Sequence, residues 1–115
     1  MRIKARSVAR ATAAPALVID RATVRRTEKN ATRACGVLGA MSNHSRLLIL
    51  CHLAEGEKSV GELEPLIGLS QSALSQHLAV LRGKHLVRTR RDGQSILYSL
   101  ASKEATALMH TLHEQ

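Results

Sequence analysis

Phenylalanine and tryptophan are absent from this 115-residue chain, and Tyr98 is its single aromatic residue. Any core must be assembled from Leu, Ile, Val, Met and Ala. A base-stacking platform for single-stranded nucleic acid, which needs several aromatic faces, is excluded. Cysteine is nearly as scarce. Cys35 and Cys51 are too few for a disulfide scaffold and lack the spacing of a zinc site, which suits a protein of a reducing cytosol. No apolar run approaches the roughly 20 residues that span a bilayer, because Leu47 to Leu53 is broken by His52 and followed by charge. No membrane partner is expected. A nucleophile with its base, a metal cage and a phosphate-binding loop are all missing, so the chain reads as a non-enzyme without a cofactor. Its length suits one domain with one modest core.

Acidic residues are scarce at the N-terminus in particular. Residues 1–33 hold nine of the 17 Lys/Arg and only two of the nine Asp/Glu, leaving eight basic against seven acidic residues for the rest. The net charge of +8 therefore describes mainly an arm, and nucleic-acid binding by the remainder must be argued from motif and local placement. Residues 1–27, Arg-rich, interrupted by Pro15 and without sustained periodicity, are expected to be a basic, disordered arm, with the domain spanning 28–115. Arg-rich, acid-poor composition is shared by mitochondrial presequences, but nothing downstream suggests a eukaryotic enzyme. A solvated tail, a start site placed too far upstream and a dedicated DNA-contacting arm all remain open.

Downstream the pattern is mainly helical, with one β-hairpin. Ala31, Ala34, Cys35, Leu38 and Met41 recur at helical spacing, predicting a first helix over 28–41. Ser42 to Ser45 supply capping residues for a second helix over 46–54. Ser59 and Glu62 have capping-box spacing and open a third helix to about Ile67, short or bent because of Pro65. Ser70 caps a fourth, 71–82, which Gly83 is expected to close in a left-handed conformation. Residues 86–91 and 94–100 then flank Asp92-Gly93, the pair suited to a type I′ turn. Ser102 opens a last helix whose Ala101, Ala105, Leu108 and Leu112 form an apolar stripe available to a partner.

Two helices joined by a short turn leave the second free to enter the major groove, whose width matches a helix. On the fourth helix, projection turns Leu74, Leu78 and Leu81 inward, and Ser72, Ser75, Gln76 and Ala79 outward with Gln71 at the leading end. Gln pairs with adenine by two hydrogen bonds, and Ser serves base edges or phosphates. An ordinary solvated face would carry Glu and Lys. His77 flanks the reading face, and Arg82, Lys84, Arg88, Arg90 and Arg91 follow with no acid before Asp92, a cluster suited to phosphates. Charged strands also protect a sheet edge. The candidate DNA-binding residues are Gln71, Ser72, Ser75, Gln76, His77, Arg82, Arg88, Arg90 and Arg91.

The segments Leu38 to Asn43, Arg46 to Leu50, Val60 to Leu63, Ser70 to Leu78 and Thr89 to Gly93 together resemble the ArsR/SmtB repressors, most of all the HlyU/BigR/NolR-like branch without metal sites. The resemblance covers about residues 30–113. It implies a winged helix-turn-helix that dimerises through its first and last helices, binds a palindromic operator in double-stranded DNA, and represses transcription until a signal relieves it. Positions matching the metal ligands of that family carry Ser59 and Gly61 in one site and Ser102 and Glu104 in the other, so no metal site is expected. His110 and His113 are only two ligands and read as solvated. Cys51 matches the second-helix cysteine of a thiol switch whose partner would fall beyond Gln115. It is a possible redox residue, with Cys35 as a substitute partner and inert core packing as the alternative. A winged-helix protein-interaction module and a metal-responsive repressor with an unrecognised site are the rival readings.

Overall fold

The structure, a computed structural model, describes residues 19–114. The chain divides into two units, 1–32 and 33–115. Helix α1, Arg21–Met41, begins in the first and ends in the second. In the first unit Asp20 caps the helix, its Oδ1 accepting from the Thr23 amide at 2.8 Å, which holds the Asp20 carboxyl below its ordinary range. The helix therefore starts at Arg21 rather than Glu28. Its first turns carry no apolar stripe, so periodicity alone did not reveal them. The arm expected over 1–27 otherwise lies largely outside the described residues.

The second unit is built on leucines. Helix α2, His44–Leu53, is capped by Asn43, whose Oδ1 accepts from the Arg46 amide at 3.0 Å. It buries Ile49, Leu50 and Leu53. Strand β1, Lys58–Ser59, leads into helix α3, Val60–Ile67, where both halves of the Ser59/Glu62 capping box form. Helix α3 runs on past Pro65 but is only eight residues long, and Gly68 ends it at φ 80°. Helix α4, Gln71–Gly83, is capped by Ser70, strand β2 is Val87–Asp92, β3 is Ser95–Leu100, and helix α5, Lys103–His113, is capped by Ser102.

Three details differ from the sequence reading. Gly83 is the last helical residue of α4, and the left-handed position falls to His85 at φ 61°. The Leu86 amide donates to Leu81 O and the His85 amide to Arg82 O, each at 2.9 Å, the paired bonds of a Schellman motif. Leu81 and Leu86, both fully buried, supply its apolar contact, and this burial decides the register over glycine's conformational freedom. The wing has three strands in the order β1-β3-β2, since Lys58 pairs with Tyr98 and Ser59 with Leu97. Two residues gave too short a signal for a strand. Finally, Asp92 pairs with Ser95, leaving Gly93 and Gln94 as the loop. Only Gly93 has positive φ there, 65°, which is the type II′ pattern and not I′.

The largest fully buried side chains of the core are Ile49, Leu50, Leu63, Leu74, Leu78, Leu81, Leu86 and Met109, each under 2% exposed. Met109, not Leu112, anchors α5 beside Ala105. Leu108 is half-buried, while Leu112 is 41% and Leu38 58% exposed. Ala31, Ala34 and Cys35, whose spacing predicted the first helix, are also exposed.

Candidate nucleic-acid interface

Helix α4 is fixed from beneath and bare above. Leu74, Leu78 and Leu81 are sunk in the core, whereas Gln71, Ser72, Ser75, Gln76 and Ala79 are all exposed, with no carboxylate anywhere on the helix. The Ser70 cap, accepting from the Ala73 amide at 3.2 Å, contributes about 1 kcal/mol and defines where the exposed face begins. His77 is half-buried on the flank of that face.

A groove runs beside α4, walled by Ser75, Ala79, Arg82 and Tyr98. Tyr98 lies on β3, opposite Thr89, and closes the gap between α4 and the wing. It was not among the candidates from sequence. The signal present in the sequence is strand alternation, which puts Ile96, Tyr98 and Leu100 on one face, but only the packing of the wing on α4 shows what Tyr98 faces.

Strand alternation divides the cationic wing. The β2–β3 ladder is regular from Val87 to Asp92, so Thr89 and Arg91 share the Tyr98 face, and Arg88 and Arg90 share the other. Arg91 is exposed and belongs with Arg82 on the α4 side. Arg88 lines a cleft with Ser102 and Lys103 at the start of α5. Arg90 is engaged within the protein, donating from Nε to Glu57 Oε2 at 2.7 Å and from Nη2 to Glu57 Oε1 at 2.8 Å. The guanidinium holds the Glu57 carboxyl below its ordinary range through these hydrogen bonds.

A second arginine that the sequence did not single out organises the other side of α4. Arg46 of α2 donates from Nε to Ala40 O at 2.6 Å and from Nη2 to Gly39 O at 3.4 Å, and its Nη1 lies 3.4 Å from His77 Nδ1.

The cysteines lie apart in environment. Cys35 is exposed on α1, while Cys51 is half-buried with Sγ 3.6 Å from Met109 Sδ. Burial pushes the Cys51 thiol above its ordinary range, opposing the thiolate that oxidation chemistry needs. Positions matched to metal ligands serve as caps: Ser59 for α3 and Ser102 for α5, where Ser102 Oγ also donates to Glu104 Oε1 at 3.0 Å. His110 and His113 line a small crevice with Glu55, Leu100 and Met109. Among the described residues no group of three or more His, Cys, Asp or Glu stands within metal-binding reach, and no helix is long and apolar enough to cross a membrane.

The chain is similar to known regulators. Residues 43–89 match the pattern of the bacterial regulatory protein, arsR family. Over 86 residues the chain is 52% identical to the transcriptional activator HlyU of Vibrio cholerae serotype O1, an alignment covering 75% of this chain and 80% of that protein. The chain belongs to the arsR family. Further relatives of this arsR-family chain are the nodulation protein NolR of Rhizobium meliloti, 49% identical over 75% of this chain and 70% of that one, and the biofilm growth-associated repressor of Xylella fastidiosa, 44% identical over 75% of each. Among solved structures, reduced HlyU from Vibrio cholerae superposes with a TM-score of 0.74 at 50% identity, covering 78% of this chain and 95% of that one. The homodimeric winged helix-turn-helix DNA-binding domain of Mb0332 from Mycobacterium bovis superposes with a TM-score of 0.69 at 28% identity, covering 76% and 82%. The winged helix-turn-helix expected from the sequence is thus the fold of this regulatory protein.

Proposed function

We propose that the chain is a transcriptional repressor that binds a two-fold symmetric operator in duplex DNA as a homodimer, with α4 in the major groove. The observation that carries this reading is the outward face of α4, where Gln71, Ser72, Ser75 and Gln76 are exposed, uncharged and free of carboxylates on a helix that three buried leucines hold rigid. Side chains of this kind read base edges, and a rigid support keeps them in register. Arg82 and Arg91 beside the groove supply phosphate contacts that position the helix. Arg88 and Arg90, on the far face of the wing, reach the backbone of the same duplex only where it curves around the wing tip.

Dimerisation is supported by what the isolated chain leaves uncovered. Cys35 and Leu38 on α1 and Leu112 on α5 are exposed, an apolar surface that a second copy would cover through the first and last helices. The relatives are named as both activators and repressors. Repression follows most simply because a dimer that occupies an operator is enough to exclude polymerase. A mobility shift with the gene's own promoter, followed by footprinting, tests the reading: a protected, two-fold symmetric site is the expected result.

A further inference from the structure

Helix α1 ends without a cation of its own, its last turn carrying no Lys, Arg or His. The last four carbonyls of any helix lack partners within it, and the negative end of the helix dipole attracts positive charge. Arg46 meets both needs, with Nε on Ala40 O at 2.6 Å and Nη2 directed to Gly39 O at 3.4 Å. The third nitrogen, Nη1, faces Nδ1 of His77 on α4 at 3.4 Å. One planar group therefore joins the end of α1, the start of α2 and the flank of α4. Lys84, just past α4, lies along the same stretch of α1: a Cβ added to Gly36 would come within 3.3 Å of its Nζ.

The contact has a chemical consequence for His77. A guanidinium only donates hydrogen bonds, so Nδ1 must accept, and the ring proton of the neutral imidazole belongs on Nε2. A half-buried ring at the edge of the reading face then offers DNA an uncharged N–H donor whose orientation the protein sets beforehand. We propose that Arg46 is a positioning residue of the DNA site, tying α1 to α4 and fixing His77 as an Nε2–H donor to a backbone phosphate oxygen. The inference rests on the DNA-binding reading above. Because the donor is neutral, it displaces no counterion, and its loss leaves the salt dependence of binding unchanged.

The test compares the full-length wild type with Arg46→Lys, His77→Ala and the double variant, after thermal melting and sedimentation establish fold and assembly. Lysine keeps the charge but lacks the fork needed to span three acceptors. Each single change should weaken binding about tenfold, the worth of one hydrogen bond, for operator and random duplex alike, because a phosphate carries no sequence. The double variant should also lose about tenfold, whereas independent roles would multiply to about a hundredfold. In the free protein, imidazole nitrogen NMR should show Nδ1 of His77 as a hydrogen-bond acceptor in the wild type and altered in Arg46→Lys. If Arg46→Lys fails to fold, His77→Asn decides: its side-chain oxygen can replace Nδ1 opposite Arg46, while its amide nitrogen falls near the place of ring Cδ2, short of Nε2, so binding must still fall. Multiplicative losses, or wild-type affinity in His77→Asn, overturn the proposal. Wild-type protein that selects no duplex would instead overturn the DNA-binding reading.

Discussion

Arg90 lies across the carboxylate of Glu57 in a two-point pair, Nε to Oε2 at 2.7 Å and Nη2 to Oε1 at 2.8 Å. A cation so engaged is a weaker phosphate ligand than a free one, because the field it presents is partly cancelled by its partner. Arg91→Ala should therefore flatten the logarithmic salt dependence of duplex binding by about one phosphate's worth, and Arg90→Ala by less. Glu57→Gln should steepen it by releasing Arg90. Equal slopes in all three variants, measured by fluorescence anisotropy across a salt series, would contradict this division of the wing.

The same pair sets a pH dependence. Arg90 lowers the folded-state pKa of Glu57 below its ordinary value, so the ionised pair favours the fold above the ordinary glutamate range. That contribution is lost as pH falls through the lowered folded-state value. NMR titration of the Glu57 carboxyl carbon should give a midpoint below that of an unpaired glutamate, moving up towards it in Arg90→Ala. A midpoint unchanged by the substitution would show that Arg90 is not the cause.

Met109 is 1% exposed against the core, whereas Leu112 is 41% exposed. Met109→Ala should cost about 2–5 kcal/mol of stability, the range for emptying a core position of this size, and lower the melting temperature accordingly. Leu112→Glu should leave the fold intact and instead yield monomers whose operator affinity falls by more than about tenfold, since only one half-site is then read. Sedimentation showing an unchanged dimer in Leu112→Glu would reject α5 as part of the interface.

Cys35 is exposed and Cys51 half-buried, with its thiol pushed up by burial. In the Leu112→Glu monomer, where no second copy covers Cys35, iodoacetamide at neutral pH should modify Cys35 well before Cys51, as followed by mass spectrometry of the intact chain. Faster labelling of Cys51 would show a reactive thiol and support redox control.

Most of the architecture was legible in the chain because local signals and burial agree. Ser70 caps α4 where its hydroxyl predicts, the Ser59/Glu62 box closes, and Leu74, Leu78 and Leu81 face inward. What escaped depends on partners distant in sequence. Strand β1 exists because β3 pairs with it. His85 adopts the left-handed conformation because Leu81 and Leu86 must both be buried. Arg46 reads as one more polar position on an apolar helix until α1 and α4 are seen to meet there. The wing arginines formed one run in the sequence, and only the strand register with the Glu57 contact separates Arg91 from Arg88 and Arg90.

The central claim is that the exposed polar face of α4 reads base sequence, and selection from a randomised duplex library tests it most directly. Wild-type protein should enrich a two-fold symmetric site with half-sites about 34–36 Å apart. Gln76→Ala should lose preference at one pair of symmetry-related positions, by about 1–3 kcal/mol per bidentate contact, while binding random duplex as before. Enrichment of no sequence by the wild type, or an identical site from Gln76→Ala and wild type, would contradict it.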